Sequence, residues 1–440
     1  MSKRALAEHL ARDPALEDIL AIDAELARVG RKIRVLKAID WPNTLEDEFL
    51  AGHRANRPVL PEVRLRVPDL SAEVAMLDAL MARCDRGHPL GDWHYKGAWS
   101  YRCAAQMLMG IGTPEFTRNS VLLYGRPDTR YRSQDVSNSQ MAEGLLAATD
   151  DLVGHWRVPE AVASIPAEEF AAQLRARIDG YFTHDRVEVV LDPDLSAKAC
   201  AGSKRIAVRS GAMFTELDLD QLVQHEAFVH TATALNGKHQ PFLKSLALGT
   251  PRTTRAQEGL ATFAEIITDA LDIKRLRRLA VRVRMVHRAL DGADFIEVFR
   301  GFCDAGQDEN DAYKSAERIF RGGDPRGGGV CFTKDGAYLE GVFRVFAFLR
   351  LALKEDRPEF AQAVFCGRVT MADAVTLAPW FETGFIAYPR YVPPWARDLR
   401  RLLAVLAFFD LASKIRLDTL TLQRFVDYEN EVLAESLAAA

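Results

Sequence analysis

The chain is poor in the features that mark secreted, membrane-bound or nucleic-acid-binding proteins. Only six of its 440 residues are cysteine (Cys84, Cys103, Cys200, Cys303, Cys331 and Cys366), and no two form a C-x-x-C pair. Thiols scattered in this way argue against a disulfide framework and suit a reducing compartment. Long hydrophobic runs are missing too: the greasiest stretch, Leu402 to Phe409, stops at Asp410, well short of a bilayer span. Met1-Ser2-Lys3-Arg4 leads into Ala, Glu and Asp instead of an apolar signal core, so no secretory leader is expected. Nor is there a basic excess. A net charge of −4 gives no electrostatic reason to expect nucleic acid or an anionic membrane as partner. What is present is ordinary: 48% apolar and 27% charged residues, the composition of a soluble, cytoplasmic globular protein with length for two or three domains.

Proline and glycine punctuate the chain. Leu and Ile at helical spacing predict helices from Lys3 to Ala38, giving an N-terminal helical arm over 1–40. Pro42 and the cluster Pro58, Pro61 and Pro68 then break the chain before a helix over Ser71–Cys84. A helical and mixed region, 41–155, contains the turn Tyr124-Gly125-Arg126-Pro127-Asp128. The softest boundary falls at His155 to Pro166, with Ser164 as N-cap of a helix running to Tyr181. The remaining domain, 156–440, should hold two strands: Val187–Leu191, ended by Asp192-Pro193, and the alternating Arg205–Arg209. The second strand points into a helix opened by a capping box at Asp218-Leu219-Asp220-Gln221 and closed by Asn236-Gly237.

That helix carries His225-Glu226-Ala227-Phe228-Val229-His230, and Gln257-Glu258-Gly259-Leu260-Ala261 follows on a second helical segment. Two imidazoles and one carboxylate are the ligand set of a catalytic zinc site, and Glu226 is a spare acid beside the first histidine. A lone His225 among Leu222, Val223, Phe228 and Val229 would read as a hydrogen-bonded core residue; the combination is what points to metal. Spacing is the obstacle. Residues five apart on a regular α-helix diverge by roughly 140°, which keeps two imidazoles from one ion about 2.0–2.1 Å away from each. The sequence therefore predicts a π-type bulge between Glu226 and His230, where residues five apart align. Glu258 would be the third ligand, on a helix whose buried stripe is Leu260, Ala264, Ile267 and Leu271, and Glu265 on its polar face would steady a ligand imidazole. Strand, motif helix and acid-bearing helix follow in the order of a zincin-like metallopeptidase core. The expected fold class is α+β, predominantly helical, with a small sheet beside the HExxxH helix.

The five-spaced histidines together with Gln257-Glu258-Gly259-Leu260-Ala261 resemble the QEGLA-motif family. Further landmarks are Gln240-Pro241, Gly249-Thr250-Pro251, Thr253-Thr254, Phe332-Thr333-Lys334-Asp335 and Tyr338-Leu339, and the likeness covers roughly residues 70–390. Bacterial members of that family carry a label about modulating flavohaemoglobin expression. Its animal relatives are microtubule-associated tyrosine carboxypeptidases, zinc enzymes that remove the C-terminal tyrosine of α-tubulin. The resemblance implies one Zn2+ per chain on His225, His230 and Glu258, with Glu226 as the catalytic carboxylate.

Three protein ligands leave a fourth zinc position for water, whose proton Glu226 would take and later return to the leaving amine. Tyr338 is the first choice for a donor to the developing oxyanion. A carboxypeptidase also needs a cation for the free carboxylate of its substrate, and Arg255, Arg321 and Lys334 are the candidates. The glycine-rich segment Gly322–Gly329 lacks a G-K-[ST] ending, so nucleotide binding is rejected and a mobile rim of the cleft is expected. Trp380, Phe381, Phe385, Tyr388, Tyr391 and Trp395 fit core packing or a side-chain pocket. The expected function is a zinc-dependent peptidase, a carboxypeptidase acting on a peptide or protein C-terminus. The rival is a regulatory or adaptor protein with a structural zinc, which would need a fourth protein ligand and leave Glu226 without a task.

Overall fold

Apolar residues recurring every three or four positions make most of this chain helical. In Leu16–Gly30 the buried stripe is Leu16, Ile19, Ile22, Leu26 and Val29. In Ile273–Leu290 it is Leu279, Val283 and Val286, set against a face of arginines. The computed structural model describes residues 3–131, 136–153, 162–193, 195, 198–412 and 424. It is α+β and predominantly helical. Residues 1–393 form one unit, and residues 394–440 form a second that includes the helices Pro394–Arg397 and Leu399–Ala412. Among the described residues, no helix is long and apolar enough to cross a membrane.

The sheet nearest the motif has three strands, β1 (Glu188–Asp192), β2 (Ala199–Ala201) and β3 (Arg205–Arg209), in the order β1-β3-β2. β1 runs parallel to β3, with Val190 opposite Ala207, and β2 runs antiparallel to β3, with Cys200 opposite Ala207. Two of these strands were expected; β2 was not, because Ala199-Cys200-Ala201 has no alternation to read. Val189, Ile206 and Val208 pack with Phe170 and Leu174 of the helix Ala167–Asp179 and with Leu222, Val223, Phe228 and Leu235 of the motif segment. Phe170 stacks on Phe214 at 4.0 Å. A fully buried phenylalanine contributes about 1.5–3 kcal/mol, so this cluster is what holds the motif segment on the sheet.

Several local expectations are corrected. The helix Ala167–Asp179 has Pro166 as its N-cap, while the Ser164 amide donates to the Phe214 carbonyl beside the two-residue ladder of Ile165–Pro166 with Met213–Phe214. The boundary placed from His155 falls, through residue 161, outside the described residues. Asn236-Gly237 does not end its helix, which continues to Lys238. Buried Asn236 instead donates to the Phe365 and Tyr391 carbonyls. The segment Gly322–Gly329, expected as a mobile rim, is a turn whose first glycine is packed and whose ends are tied by backbone hydrogen bonds. Gly322 lies against Phe116 and Ile39, its carbonyl accepts from the Gly112 amide, and the Gly328 amide donates to the Gly292 carbonyl.

Gly259 marks the tightest helix crossing near the motif. A Cβ there would lie 2.7 Å from the Cα of Gly341, so the helices Thr254–Ile267 and Ala337–Lys354 meet backbone to backbone. Gly259→Ala removes a helix-interior glycine, worth about 1 kcal/mol. Overpacking costs about 1–3 kcal/mol, and here the obstructing atoms are main chain that cannot rotate away. The expected outcome of Gly259→Ala is a net loss of stability, read as a melting temperature lower by several degrees.

Candidate metal centre and active site

The motif segment begins at Thr215, whose hydroxyl accepts from the Asp218 amide while the Asp218 carboxylate accepts from the Thr215 amide. This capping box stands three residues earlier than expected, with Asp218 as its far member. Helix Glu216–Leu222 passes into a π-turn over Val223–Thr231 and then into helix Ala232–Lys238. The bulge required by the five-residue spacing is therefore present. Its effect is to bring the two imidazoles together: the His225 and His230 rings are 4.8 Å apart, centroid to centroid, at 83°. The Thr233 hydroxyl donates to the Val229 carbonyl at 2.8 Å and also lies 2.8 Å from the Gln257 side-chain amide, tying the π-turn to the next helix.

Glu258 comes from the first turns of that helix, Thr254–Ile267. Its Oε2 lies 3.6 Å from Nε2 of His225 and 3.6 Å from Nε2 of His230. Donors about 2.0–2.1 Å from a tetrahedral ion are roughly 3.3–3.4 Å from one another, so the spacing fits a shared cation. Candidate ligand atoms of all three residues lie within 4.8 Å of one another, and the group can hold a metal ion. The electrostatics favour a cation as well. Burial alone would depress His225, yet Glu258, Glu265 and Glu226 carry its pKa up to about 10. Burial opposes ionisation of Glu258, but Lys334, His225 and His230 hold its pKa well below the usual carboxylate range.

Behind the pair, Nδ1 of His225 meets Oε1 of Glu265 at 2.6 Å, and Glu265 is fully buried. Burial would raise the Glu265 pKa; Arg275, 2.9 Å away, and His225 instead bring it down to about 2. This arrangement fixes the ring so that Nε2 faces Glu258, and the contact between Glu265 and an imidazole expected from the sequence is present. Partners that orient a ligand imidazole are typically worth 10- to 100-fold in metal affinity. Glu265→Gln is accordingly expected to weaken metal binding about 10- to 100-fold, measured by competition with a chromogenic chelator.

Glu226 is half-buried, and its Oε2 accepts the Ala201 amide of β2 at 3.0 Å. It stands beside the three donors without belonging to their cluster. Nζ of Lys334 lies 2.8 Å from Oε1 of Glu258 and 3.1 Å from the Tyr338 hydroxyl. The same hydroxyl takes a 3.3 Å bond from Arg318, which is bidentate to Asp335 at 2.7 Å. The structure thus brings His225, His230, Glu258, Lys334 and Tyr338 into one connected group. The other two sequence candidates lie apart from it. Arg255 is ion-paired to Glu340 at 3.0 Å, and Arg321 is buried over the ring of Phe332 at 5.8 Å.

Among the aromatics, Phe385 packs on Phe242, Phe381 on Tyr388 and Tyr391 on Phe182, all as ordinary packing. Trp380 lies 5.7 Å from His88, and Trp395 belongs to the second unit. Sequence reasoning overlooked Arg368. It stands in no motif, and its electrostatic interaction with Glu258 and Glu226 is a tertiary fact.

Residues 47–414 match the sequence profile of the family described as microtubule-associated tyrosine carboxypeptidase. The chain belongs to that family. The match reaches beyond residues 70–390, where landmarks were legible, and contains every residue of the site just described. A mouse member named microtubule-associated tyrosine carboxypeptidase 1 is 26% identical over 186 residues, which is 42% of this chain and 37% of the mouse protein. The aligned stretch thus covers little more than a third of that relative.

Proposed function

We propose that this protein is a zinc-dependent carboxypeptidase with a zincin-like core, holding one Zn2+ per chain on His225, His230 and Glu258. The observation that carries this reading is the convergence of two imidazole Nε2 atoms on one carboxylate oxygen, made possible by the π-turn, with a further acid, Glu226, adjacent in the chain to His225. Zinc bound there would supply Lewis acidity, polarising the scissile carbonyl and acidifying a water. The protein residues divide the remaining work. Glu226, oriented by the Ala201 amide, accepts a proton from the attacking water and delivers it to the departing amine. Lys334 holds Glu258 in place through Oε1 and leaves Oε2 facing the histidines. The Tyr338 hydroxyl, oriented by Lys334 and Arg318, is the donor for charge that builds on the carbonyl oxygen. Free thiols at all six cysteines suit the cytoplasm as its setting.

Family membership supports a peptide or protein C-terminus as substrate, with tyrosine as the residue to try first. The rival reading, a structural zinc in a regulatory protein, calls for a closed four-ligand site. Among the described residues the cluster has three donors, which favours the open, catalytic arrangement. The deciding experiment incubates zinc-loaded protein with a peptide library varied at the C-terminal residue and reads the products by mass spectrometry. Loss of a single terminal residue is the expected result. Internal cuts would make it an endopeptidase, and an intact library would favour the regulatory role.

A further inference from the structure

We propose that Arg368 receives the C-terminal carboxylate of the substrate, restricting this site to peptides that end in a free acid. The inference rests on the carboxypeptidase reading above, and it names a residue that no motif marked.

Among the described residues, Arg368 is a cation near the metal centre that lacks a counter-charge of its own. Its neighbours are matched: Arg252 with Asp373 at 2.9 Å, Arg255 with Glu340 at 3.0 Å, Arg275 with Glu265 at 2.9 Å, Arg318 with Asp335 at 2.7 Å and Lys334 with Glu258 at 2.8 Å. Among the described residues no carboxylate comes within ion-pair distance of the Arg368 guanidinium, and its Nε is buried without a hydrogen-bond partner. Burial lowers its pKa, an effect that the nearby carboxylates Glu258 and Glu226 offset in part. Glu258 and Glu226 are the two acids of the proposed reaction, and Cys200 precedes Ala201, whose amide binds Glu226. Arg368 therefore lies within electrostatic reach of both acids. Arg321 also has an unpartnered Nε, but it is 7% exposed, and its acidic neighbours are Asp335 and Glu317 instead of the metal-site acids.

The side chain is held where it is. The Arg368 amide donates to the Leu246 carbonyl at 2.8 Å, and its Nη1 lies against Gly249, where a Cβ would stand 2.8 Å away. The Gly249 carbonyl accepts the Tyr101 hydroxyl at 3.4 Å, so the strip of backbone beneath the guanidinium is itself anchored. Leaving a guanidinium half-buried and unpaired is costly unless a ligand completes it. A planar fork with free N–H groups matches a carboxylate bidentately. It also offsets the repulsion that Glu226 and Glu258 would exert on an incoming anion.

The test is a binding measurement on the zinc-loaded full chain carrying Glu226→Gln, which keeps a bound peptide intact. Two fluorescent peptides of identical sequence, one ending in a free acid and one in a C-terminal amide, are titrated by anisotropy. With Arg368 present, the acid should bind about 10- to 100-fold more tightly than the amide. Adding Arg368→Gln should bring that ratio close to one by weakening the acid alone. Arg368→Lys, which keeps the charge but loses the fork, should restore part of it. Gly249→Ala provides a second route that leaves the arginine in the chain: the new methyl displaces Nη1, and the ratio should fall. A preference for the acid that survives Arg368→Gln in a chain with an unchanged melting temperature overturns the proposal. So does the absence of any preference when Arg368 is intact. The outcome is separable from the peptidase reading, because a chain that shows the Arg368-dependent preference but releases no terminal residue as wild type keeps the carboxylate site and loses the enzyme.

Discussion

Glu226→Gln should bind zinc like the wild type and lose about 10²- to 10⁴-fold in kcat/KM, the range that a positioned general base supplies. The argument starts from what the side chain touches. Its Oε2 accepts the Ala201 amide at 3.0 Å, and Glu226 is not one of the three clustered donors. Glutamine is isosteric, and its carbonyl oxygen can still accept that amide, so the local fold and the three ligands are left as they are. What glutamine cannot do is take a proton. Metal content by atomic emission, measured beside peptide turnover, separates the two effects. A variant with full turnover would remove Glu226 from the mechanism. A variant that loses zinc would make Glu226 a ligand and reopen the ligand set.

How much of this was readable in the chain depended on whether a residue's task was local. The π-turn was legible because His225 and His230 cannot converge on a regular helix, so the spacing itself carried the distortion. The contact of Glu265 with His225 was legible because Glu265 shares a helix face with Glu258, two turns on. The pairing of Lys334 with Glu258 was not: it joins positions 76 residues apart, and a lysine near an active site reads equally as a substrate anchor. β2 escaped because three small residues at the edge of a sheet take their conformation from β3 and not from any pattern of their own. The position of the capping box is ambiguous in the sequence because Asp218 and Asp220 look as much like an N-cap as Thr215 does. Gln257 and Gly259 had a visible motif but an invisible reason. One ties the π-turn through Thr233, and the other lets Gly341 approach; both are tertiary facts.

Losing one ligand should abolish metal binding outright. His230→Ala leaves His225 and Glu258, two donors for an ion that needs three from the protein. The site around them keeps Glu226 and Glu265, and no other described side chain within the cluster stands ready to substitute. The expected outcome is zinc content below about one-tenth of an ion per chain and turnover at least about 10³-fold down, since the Lewis acid and the acidified water leave together. Chelation of the wild type should reach the same state reversibly. A ligand that binds only the folded chain stabilises it by RT ln(1 + [L]/Kd), about 4 kcal/mol at a thousandfold excess over Kd, so removing zinc should also lower the melting temperature. His239→Ala is the control. That histidine lies 2.7 Å from Asp185, outside the donor cluster, and its loss should leave zinc content unchanged. A His230→Ala chain that still carries stoichiometric zinc and cleaves peptide would show that the ion sits elsewhere, and the catalytic reading of the π-turn would have to be abandoned.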